Sequence, residues 1–268
     1  MALPPPSDSS AALITGASSG IGAGLARELA RRGHAVVLSA RREERLRDLA
    51  AELETEHGIR AEVVTADLGS DAERDRLSSA VAGLGLDVEV LVNSAGFGAF
   101  GEAHRLDRAR QLEMVRLNCE AVLDLQARYS AEMARRGRGA ILNLASTAAF
   151  QPLPGSACYA ATKAFVLSLS EATHVELARR GVTLTALCPG PVRTEFVEIA
   201  GAGEAENQLP GPFWTSVEQV AREAVEGLER GKRVVTPGFL NRAGAIGGQH
   251  APRALALPII NRVRRFAL

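Results

Sequence analysis

Short apolar runs alternate along this chain with longer stretches in which apolar residues recur at helical spacing. The short runs predict strands over residues 11–15, 35–39, 61–65, 88–92, 140–144, 182–187 and 233–236. The longer stretches predict helices over 21–32, 42–56 and 70–82, two within 106–136, and helices over 156–180 and 215–230. Strict alternation builds βαβ units, and strands that are apolar throughout are covered on both faces. The pattern predicts the α/β class: a single doubly wound Rossmann domain with a parallel sheet of about seven strands and helices on both faces.

The ends of the chain and one internal segment depart from this alternation. Residues 1–10, rich in Pro and Ser, are expected to form a flexible N-terminus before a catalytic domain over 11–238. Within that domain, residues 201–214 are rich in Gly and Pro and lack periodicity, which is typical of a substrate lid. We place the lid within 191–215 and expect apolar substrate contacts from Phe196, Phe213 and Trp214, which favours a hydrophobic substrate.

The C-terminal extension, 239–268, combines apolar residues with arginines. A basic amphipathic segment of this kind can lie on a membrane surface. It can equally pack on its own domain or on a partner subunit, and we favour packing over peripheral membrane contact. Pro252 and Pro258 argue against one uninterrupted helix.

Composition narrows the function classes. The 268 residues carry a formal net charge of zero, which gives no indication of a nucleic-acid partner. The three cysteines are odd in number and form no CxxC pair, and the five histidines lack ligand spacing, so neither a disulfide framework nor a metal site is expected. The first residues lack the basic and apolar regions of a signal peptide, and no apolar run approaches the length of a membrane span. A cytoplasmic location is expected.

Three glycines mark the turn after the first predicted strand, which reads Thr15-Gly16-Ala17-Ser18-Ser19-Gly20-Ile21-Gly22. Glycine lets backbone N–H groups approach a pyrophosphate closely, and the following helix directs its positive end at the same point. A turn without a ligand is the alternative, but the position in a βαβ unit favours a dinucleotide site. The predicted cofactor-binding residues here are Gly16, Ser18, Ser19, Gly20, Ile21 and Gly22.

The segment after the second strand indicates which nucleotide binds. An NAD site usually places a carboxylate here, against the ribose hydroxyls. This chain has Ser39-Ala40-Arg41-Arg42 instead. Guanidinium groups pair well with a phosphate, so Arg41 and Arg42 favour NADP(H) over NAD(H). The alternative is a pair of solvated charges at a helix start, where cations oppose the helix dipole.

Candidate chemistry lies on the long helix predicted over 156–180. Tyr159 and Lys163 are four residues apart and share a face, and the chain contains only two lysines and two tyrosines. An ammonium beside a phenol lowers the phenol pKa, so Tyr159 could donate a proton to a carbonyl or accept one from an alcohol. Ser146, just past the fifth strand, could hydrogen-bond the substrate oxygen.

The motifs T-G-x-x-x-G-x-G and Tyr-x-x-x-Lys resemble those of the short-chain dehydrogenase/reductase family, over about residues 11–236. The resemblance implies that Ser146 orients the substrate, that Tyr159 is the acid/base, and that Lys163 tunes Tyr159 and binds the cofactor ribose. It also implies a homodimer or homotetramer built through the long helices.

Further site residues follow from the same resemblance. Asn118 matches a helix Asn that holds a proton-relay water in the family, although a buried hydrogen-bonding Asn is equally compatible with the sequence. The segment after strand four has Ser94 where the family commonly has a second Asn, a mild departure. The remaining cofactor-binding residues implied are Asp67, Leu68, Asn93, Ala95, Gly96, Pro189, Gly190, Val192 and Thr194.

These observations predict an NADP(H)-dependent oxidoreductase that interconverts a small-molecule carbonyl compound and its alcohol. An NADP(H)-binding sensor or scaffold with little turnover is the alternative, which the matched Ser, Tyr and Lys set disfavours. A nucleotide-sugar epimerase of related fold is disfavoured because the chain has no larger substrate region beyond the sheet.

Overall fold

A computed structural model describes residues 3–200 and 211–267 of this chain. Seven parallel strands form one sheet in the order β3-β2-β1-β4-β5-β6-β7. The strands are β1 Ser10–Thr15, β2 Ala35–Ser39, β3 Ala61–Val63, β4 Asp87–Asn93, β5 Gly139–Leu144, β6 Val182–Leu187 and β7 Val234–Val235. The α/β class and the doubly wound sheet predicted from the sequence are confirmed.

The described helices include α1 Gly20–Arg31, α2 Glu43–His57, α3 Asp71–Gly83, α4 Arg108–Val115, α5 Ala121–Arg136, α6 Ala157–Ala178, α7 Glu195–Ile199, α8 Val217–Glu229, α9 Phe239–His250 and α10 Arg253–Ala267. A π-helical turn, Arg116–Glu120, joins α4 to α5. Most predicted helices agree with these bounds to within two or three residues.

Helices cover both faces of the sheet because each strand directs alternate side chains to opposite faces. In β1, Ile14 packs in a core with residues of α1, α2 and α8, whereas Leu13 packs in a second core with residues of α3 and α5. Tyr129 of α5 is buried in this second core. Both strand faces are therefore apolar.

The topology changes direction at β1, which pairs with β2 on one side and with β4 on the other. The segments that follow β1 and β4 are consequently adjacent. Thr15 Oγ1 donates to the Val92 carbonyl at 3.2 Å and accepts from the Ser94 N–H at 3.0 Å. A crevice at such a switch point, beyond the carboxyl ends of the strands, is where doubly wound folds bind ligands.

The first described residues and helix α9 contact the domain. Leu3 packs against the first core and Pro4 is buried, in the segment that the sequence analysis treats as flexible. The C-terminal extension breaks at Pro252, between α9 and α10, whereas Pro258 lies inside α10. Within residues 3–200 and 211–267, none of the helices has both the length and the apolar character needed to cross a membrane.

Candidate active site

The glycine turn after β1 packs too tightly for larger residues at two positions. A Cβ on Gly22 would lie 2.2 Å from the Gly16 carbonyl oxygen. Gly16 has a φ of +68°, and a Cβ there would lie 2.8 Å from the Ala95 backbone. The backbone of this turn therefore lines the crevice directly, with space for a phosphate against its N–H groups and the N-terminus of α1.

Arg42 connects this turn to the opposite wall of the crevice. Its guanidinium donates to Ser18 Oγ at 3.1 and 3.2 Å and to Ser19 Oγ at 2.7 Å. It also donates to the carboxylate of Glu195, at the start of α7, at 2.8 Å. Arg41 extends into solvent, 3.9 Å from Glu113. The hydroxyls and the two guanidiniums form a donor set that fits a ribose phosphate.

A single cavity of about 760 Å³ contains most of the predicted site. Its volume lies within the range of small-molecule sites. The predicted residues on its wall are Gly16, Ser18, Ser19, Gly20, Ile21, Arg41, Arg42, Asp67, Leu68, Ala95, Gly96, Ser146, Tyr159, Lys163, Pro189, Gly190, Val192 and Thr194. Segments far apart in sequence thus meet at one edge of the sheet.

Tyr159, Lys163 and Ser146 all line this cavity. The Lys163 ammonium donates to the Leu144 carbonyl at 2.6 Å and lies 5.8 Å from the centroid of the Tyr159 ring. Ser146 Oγ accepts from the Ala148 N–H at 3.1 Å, which fixes its direction. The Phe196 ring lies 5.4 Å from the Tyr159 ring and covers it from the side of α7. A phenol, a hydroxyl and an ammonium thus share one enclosed site.

The prediction that Lys163 lowers the pKa of Tyr159 is wrong for this structure. Burial raises the pKa of Tyr159 to about 12, although hydrogen bonding with Ser146 acts in the opposite direction. Burial also lowers the pKa of Lys163 to about 8. Loss of hydration penalises the charged form of each group, and the ammonium is directed at Leu144 rather than at the phenol. Both groups are therefore held closer to their neutral forms than in water.

Asn118 lies in the π-helical turn and is fully buried. Its side-chain amide donates to the Phe97 carbonyl at 2.9 Å and to Thr162 Oγ1 at 3.1 Å, and its oxygen accepts from the Phe97 N–H at 3.1 Å. It is absent from the described cavity wall. The side chain thus fixes the segment after β4 against α6, and its role in a proton relay stays a prediction.

Two other predicted cofactor residues lie behind the wall. Gly22 packs under the turn, and Asn93 is buried in the sheet, where its amide donates to Asn143 Oδ1 at 2.9 Å. Asn143 in turn donates to Gln126 and Ser170, at 2.6 and 2.9 Å. The structure therefore gives Asn93 a place in a buried amide network, and Ser94 lines the cavity in its place.

The substrate end of the cavity includes residues that the sequence analysis missed. The predicted contacts Phe196, Phe213 and Trp214 line it, whereas residues 201–210 of the predicted lid lie outside the described residues. The additional wall residues are Phe97, Phe100, Arg110, Gln151, Leu153, Ser156, Ile199, Leu240, Asn241, Gly244 and Ala245. The last four belong to α9, and the tail sequence carries no motif that would have assigned them to the site.

The fold and the site together define a dinucleotide-dependent oxidoreductase. A family model described as short chain dehydrogenase matches residues 10–205. The chain belongs to this family of oxidoreductases.

Individual relatives agree with this assignment. A protein of Streptomyces coelicolor named as an inferred ketoacyl reductase is 40% identical over 189 residues, 70% of this chain and 72% of its own length. A short-chain dehydrogenase from Sphingobium yanoikuyae, solved in complex with NADPH, matches with a TM-score of 0.79 and 34% identity, covering 89% of this chain and 92% of its own. The bulky-bulky ketone specific alcohol dehydrogenase from Comamonas testosteroni matches with a TM-score of 0.76 and 31% identity, over 97% and 93% of the two chains.

Proposed function

We propose that this protein is an NADP(H)-dependent reductase or dehydrogenase that acts on a bulky, largely apolar carbonyl compound or its alcohol. The observation that carries the proposal is that one cavity is lined both by the glycine turn with Arg42 and by Tyr159 with Ser146. The relative solved with NADPH and the relative specific for bulky ketones support it.

The nucleotide end suits NADP(H) through its charge. Arg42 is held by the Ser18 and Ser19 hydroxyls at the mouth of the glycine turn, and Arg41 is exposed beside it. The segment after β2 offers no carboxylate to the ribose hydroxyls. NADP(H), when bound, supplies or accepts the hydride at the substrate carbon.

The protein supplies the proton and the environment. Tyr159, whose pKa burial raises to about 12, holds its proton at neutral pH and can donate it to the carbonyl oxygen as charge develops there. Ser146 can hydrogen-bond the same oxygen, and the Lys163 ammonium lies within the same enclosed site. The Phe196 ring packs 5.4 Å from the phenol ring and shields part of it from solvent.

Two measurements test the proposal. NADPH and NADH are titrated into wild type, Arg42→Gln and a matched control, Arg47→Gln, which removes a cation that pairs with Glu43 on the exposed side of α2. We expect tight NADPH binding that only Arg42→Gln weakens, by at least about tenfold for the loss of a charge-assisted phosphate contact. Equal binding of NADH in wild type would contradict the cofactor assignment.

Turnover is then followed with a panel of aliphatic and aromatic ketones, in wild type and Tyr159→Phe. We expect activity that increases with the apolar bulk of the ketone and falls at least about a hundredfold in Tyr159→Phe, the loss typical of a missing general acid. NADPH binding in the variant should be unchanged. Binding without turnover on any substrate would favour the sensor or scaffold alternative.

We also propose that the chain forms a homodimer or homotetramer through its long helices. Apolar side chains are exposed on the α4–α5 segment and on α6, among them Leu112, Leu123, Phe165 and Val175. Light scattering after gel filtration tests this directly, and a monomer at micromolar concentration would contradict it.

A further inference from the structure

Glu195 joins α7 to the nucleotide end of the cavity. It is the first residue of α7 and follows Thr194, a wall residue that closely approaches Gly20 of the glycine turn. Its two carboxylate oxygens bind two different cations of the facing segment: one accepts from Arg42 at 2.8 Å, and the other pairs with Arg45. Glu195 therefore connects the substrate-side helix to the segment that follows β2.

Arg42 is shared between this carboxylate and the hydroxyls of Ser18 and Ser19. Its remaining N–H groups already point at the mouth of the glycine turn, where the proposed 2′-phosphate would bind. A guanidinium has a limited number of donors in a fixed plane, so a phosphate with three acceptor oxygens would compete with Glu195 for them. Glu195 is ionised near neutrality, because hydrogen bonds from Arg45 and Arg42 lower its pKa to about 2.

We propose that Glu195 and the 2′-phosphate of NADP(H) exchange on Arg42, so that NADP(H), but not NAD(H), releases α7 from the nucleotide site. This inference rests on the proposed function, since it requires that NADP(H) binds at Arg42. NAD(H) carries no phosphate at this position and leaves the Glu195–Arg42 ion pair in place. Arg45 keeps its contact with the other carboxylate oxygen of Glu195. The release of α7 is therefore the loss of its contact with Arg42 alone, and no carboxylate is left unpaired.

The exchange reaches the substrate end because α7 carries wall residues of that end. Phe196 lies against the Tyr159 ring, Ile199 lines the cavity, and the carbonyl of Ala200 accepts from the Phe100 N–H at 3.0 Å. Release of the first residue of α7 thus acts on the segment that covers the phenol. The 2′-phosphate thus determines which cofactor binds, and its binding also allows α7 to move at the substrate end of the cavity.

The test compares NADPH and NADH affinity by fluorescence titration in wild type, Glu195→Gln and Glu43→Gln. Glu43→Gln is the matched control, because it removes an equal charge from the start of α2. In wild type, Glu43 pairs with Arg47 rather than with Arg42. We expect Glu195→Gln to bind NADPH about two- to fivefold more tightly, the range that an exposed ion pair can supply, with NADH binding unchanged. Unchanged or weaker NADPH binding, or the same gain in Glu43→Gln, would overturn the inference.

Two further arms separate competition from a structural effect. In an Arg42→Gln background the gain from Glu195→Gln should vanish, whereas a gain that persists there overturns the exchange. Hydrogen exchange of residues 195–200 should increase in wild type on adding NADPH but not on adding NADH, and it should already be high in Glu195→Gln. Equal exchange in wild type with NADPH, in wild type with NADH and in Glu195→Gln would overturn the release of α7. Failure of wild type to bind NADPH at all would instead refute the proposed function.

Discussion

Lys163 should make the folded protein less stable than a chain without its charge, and by an amount that depends on pH. The side chain is 4% exposed, and burial lowers its pKa from 10.5 to about 8. At 1.36 kcal/mol per pKa unit, the unfavourable burial of its charge corresponds to about 3 kcal/mol at neutral pH. Replacing Lys163 by methionine removes this unfavourable free energy of burying a charge. The substitution also leaves the Leu144 carbonyl without its 2.6 Å donor, which costs about 1–3 kcal/mol.

The pH dependence isolates the charge from the lost hydrogen bond. The folded-state pKa of Lys163 lies below its unfolded value, so the unfolded chain binds more protons between about pH 8 and 10.5. Wild type therefore gains stability as pH rises through that window, whereas Lys163→Met does not. Between pH 6.5 and 9.5 the stability of the variant relative to wild type should fall by about 2 kcal/mol.

Urea unfolding of both proteins at these two pH values measures the change. Lys232→Met is the matched control, because Lys232 is the only other lysine of the chain and is exposed. It shows how much of the change comes from replacing a lysine that is exposed to solvent. If the free energies of unfolding of Lys163→Met and wild type differ by the same amount at both pH values, the burial of a charged Lys163 is refuted. In either case Lys163→Met should lose turnover, since the ammonium shares the site of Tyr159.

Three other substitutions test separate parts of the site. Gly22→Ala places a Cβ 2.2 Å from the Gly16 carbonyl oxygen, so we expect at least about tenfold weaker NADPH binding and a lower melting temperature; wild-type affinity would contradict the packing of the turn. Asn118→Ala leaves a buried backbone N–H and carbonyl unpaired and should reduce the free energy of unfolding by about 1–3 kcal/mol in urea, whereas an unchanged midpoint would argue against the pairing. Leu240→Arg puts a charge at the apolar end of the cavity and should raise the KM for bulky ketones at unchanged NADPH affinity; the neighbouring Phe239→Arg, at a residue 81% exposed, should leave the KM as it is.

The order of strands and helices could be predicted because it depends on local patterns. Apolar runs and amphipathic stretches gave the seven strands and most of the helices. The glycine turn after β1 and the Tyr159–Lys163 spacing were equally readable, since each is a short motif whose chemistry needs a fixed separation along the chain. The parallel sheet then brings the segments after its strands to one edge, which is why most predicted site residues line one cavity.

What the sequence could not supply depends on burial and on distant partners. The pKa of Tyr159 was predicted in the wrong direction, because a four-residue spacing shows that Lys163 is near but not how far both groups are removed from water. Asn93 matched a motif yet lies in a buried amide network, because only the sheet register brings it to Asn143.

The substrate wall contributed by α9 and the ion pair between Arg42 and Glu195 also depend on tertiary structure. The two partners of that ion pair are 153 residues apart in the chain, and the residues of α9 lie beyond the last strand. Local spacing determines which side chains share a helix face or a turn. The packing of the whole chain decides which charges lose their water and which distant groups become neighbours.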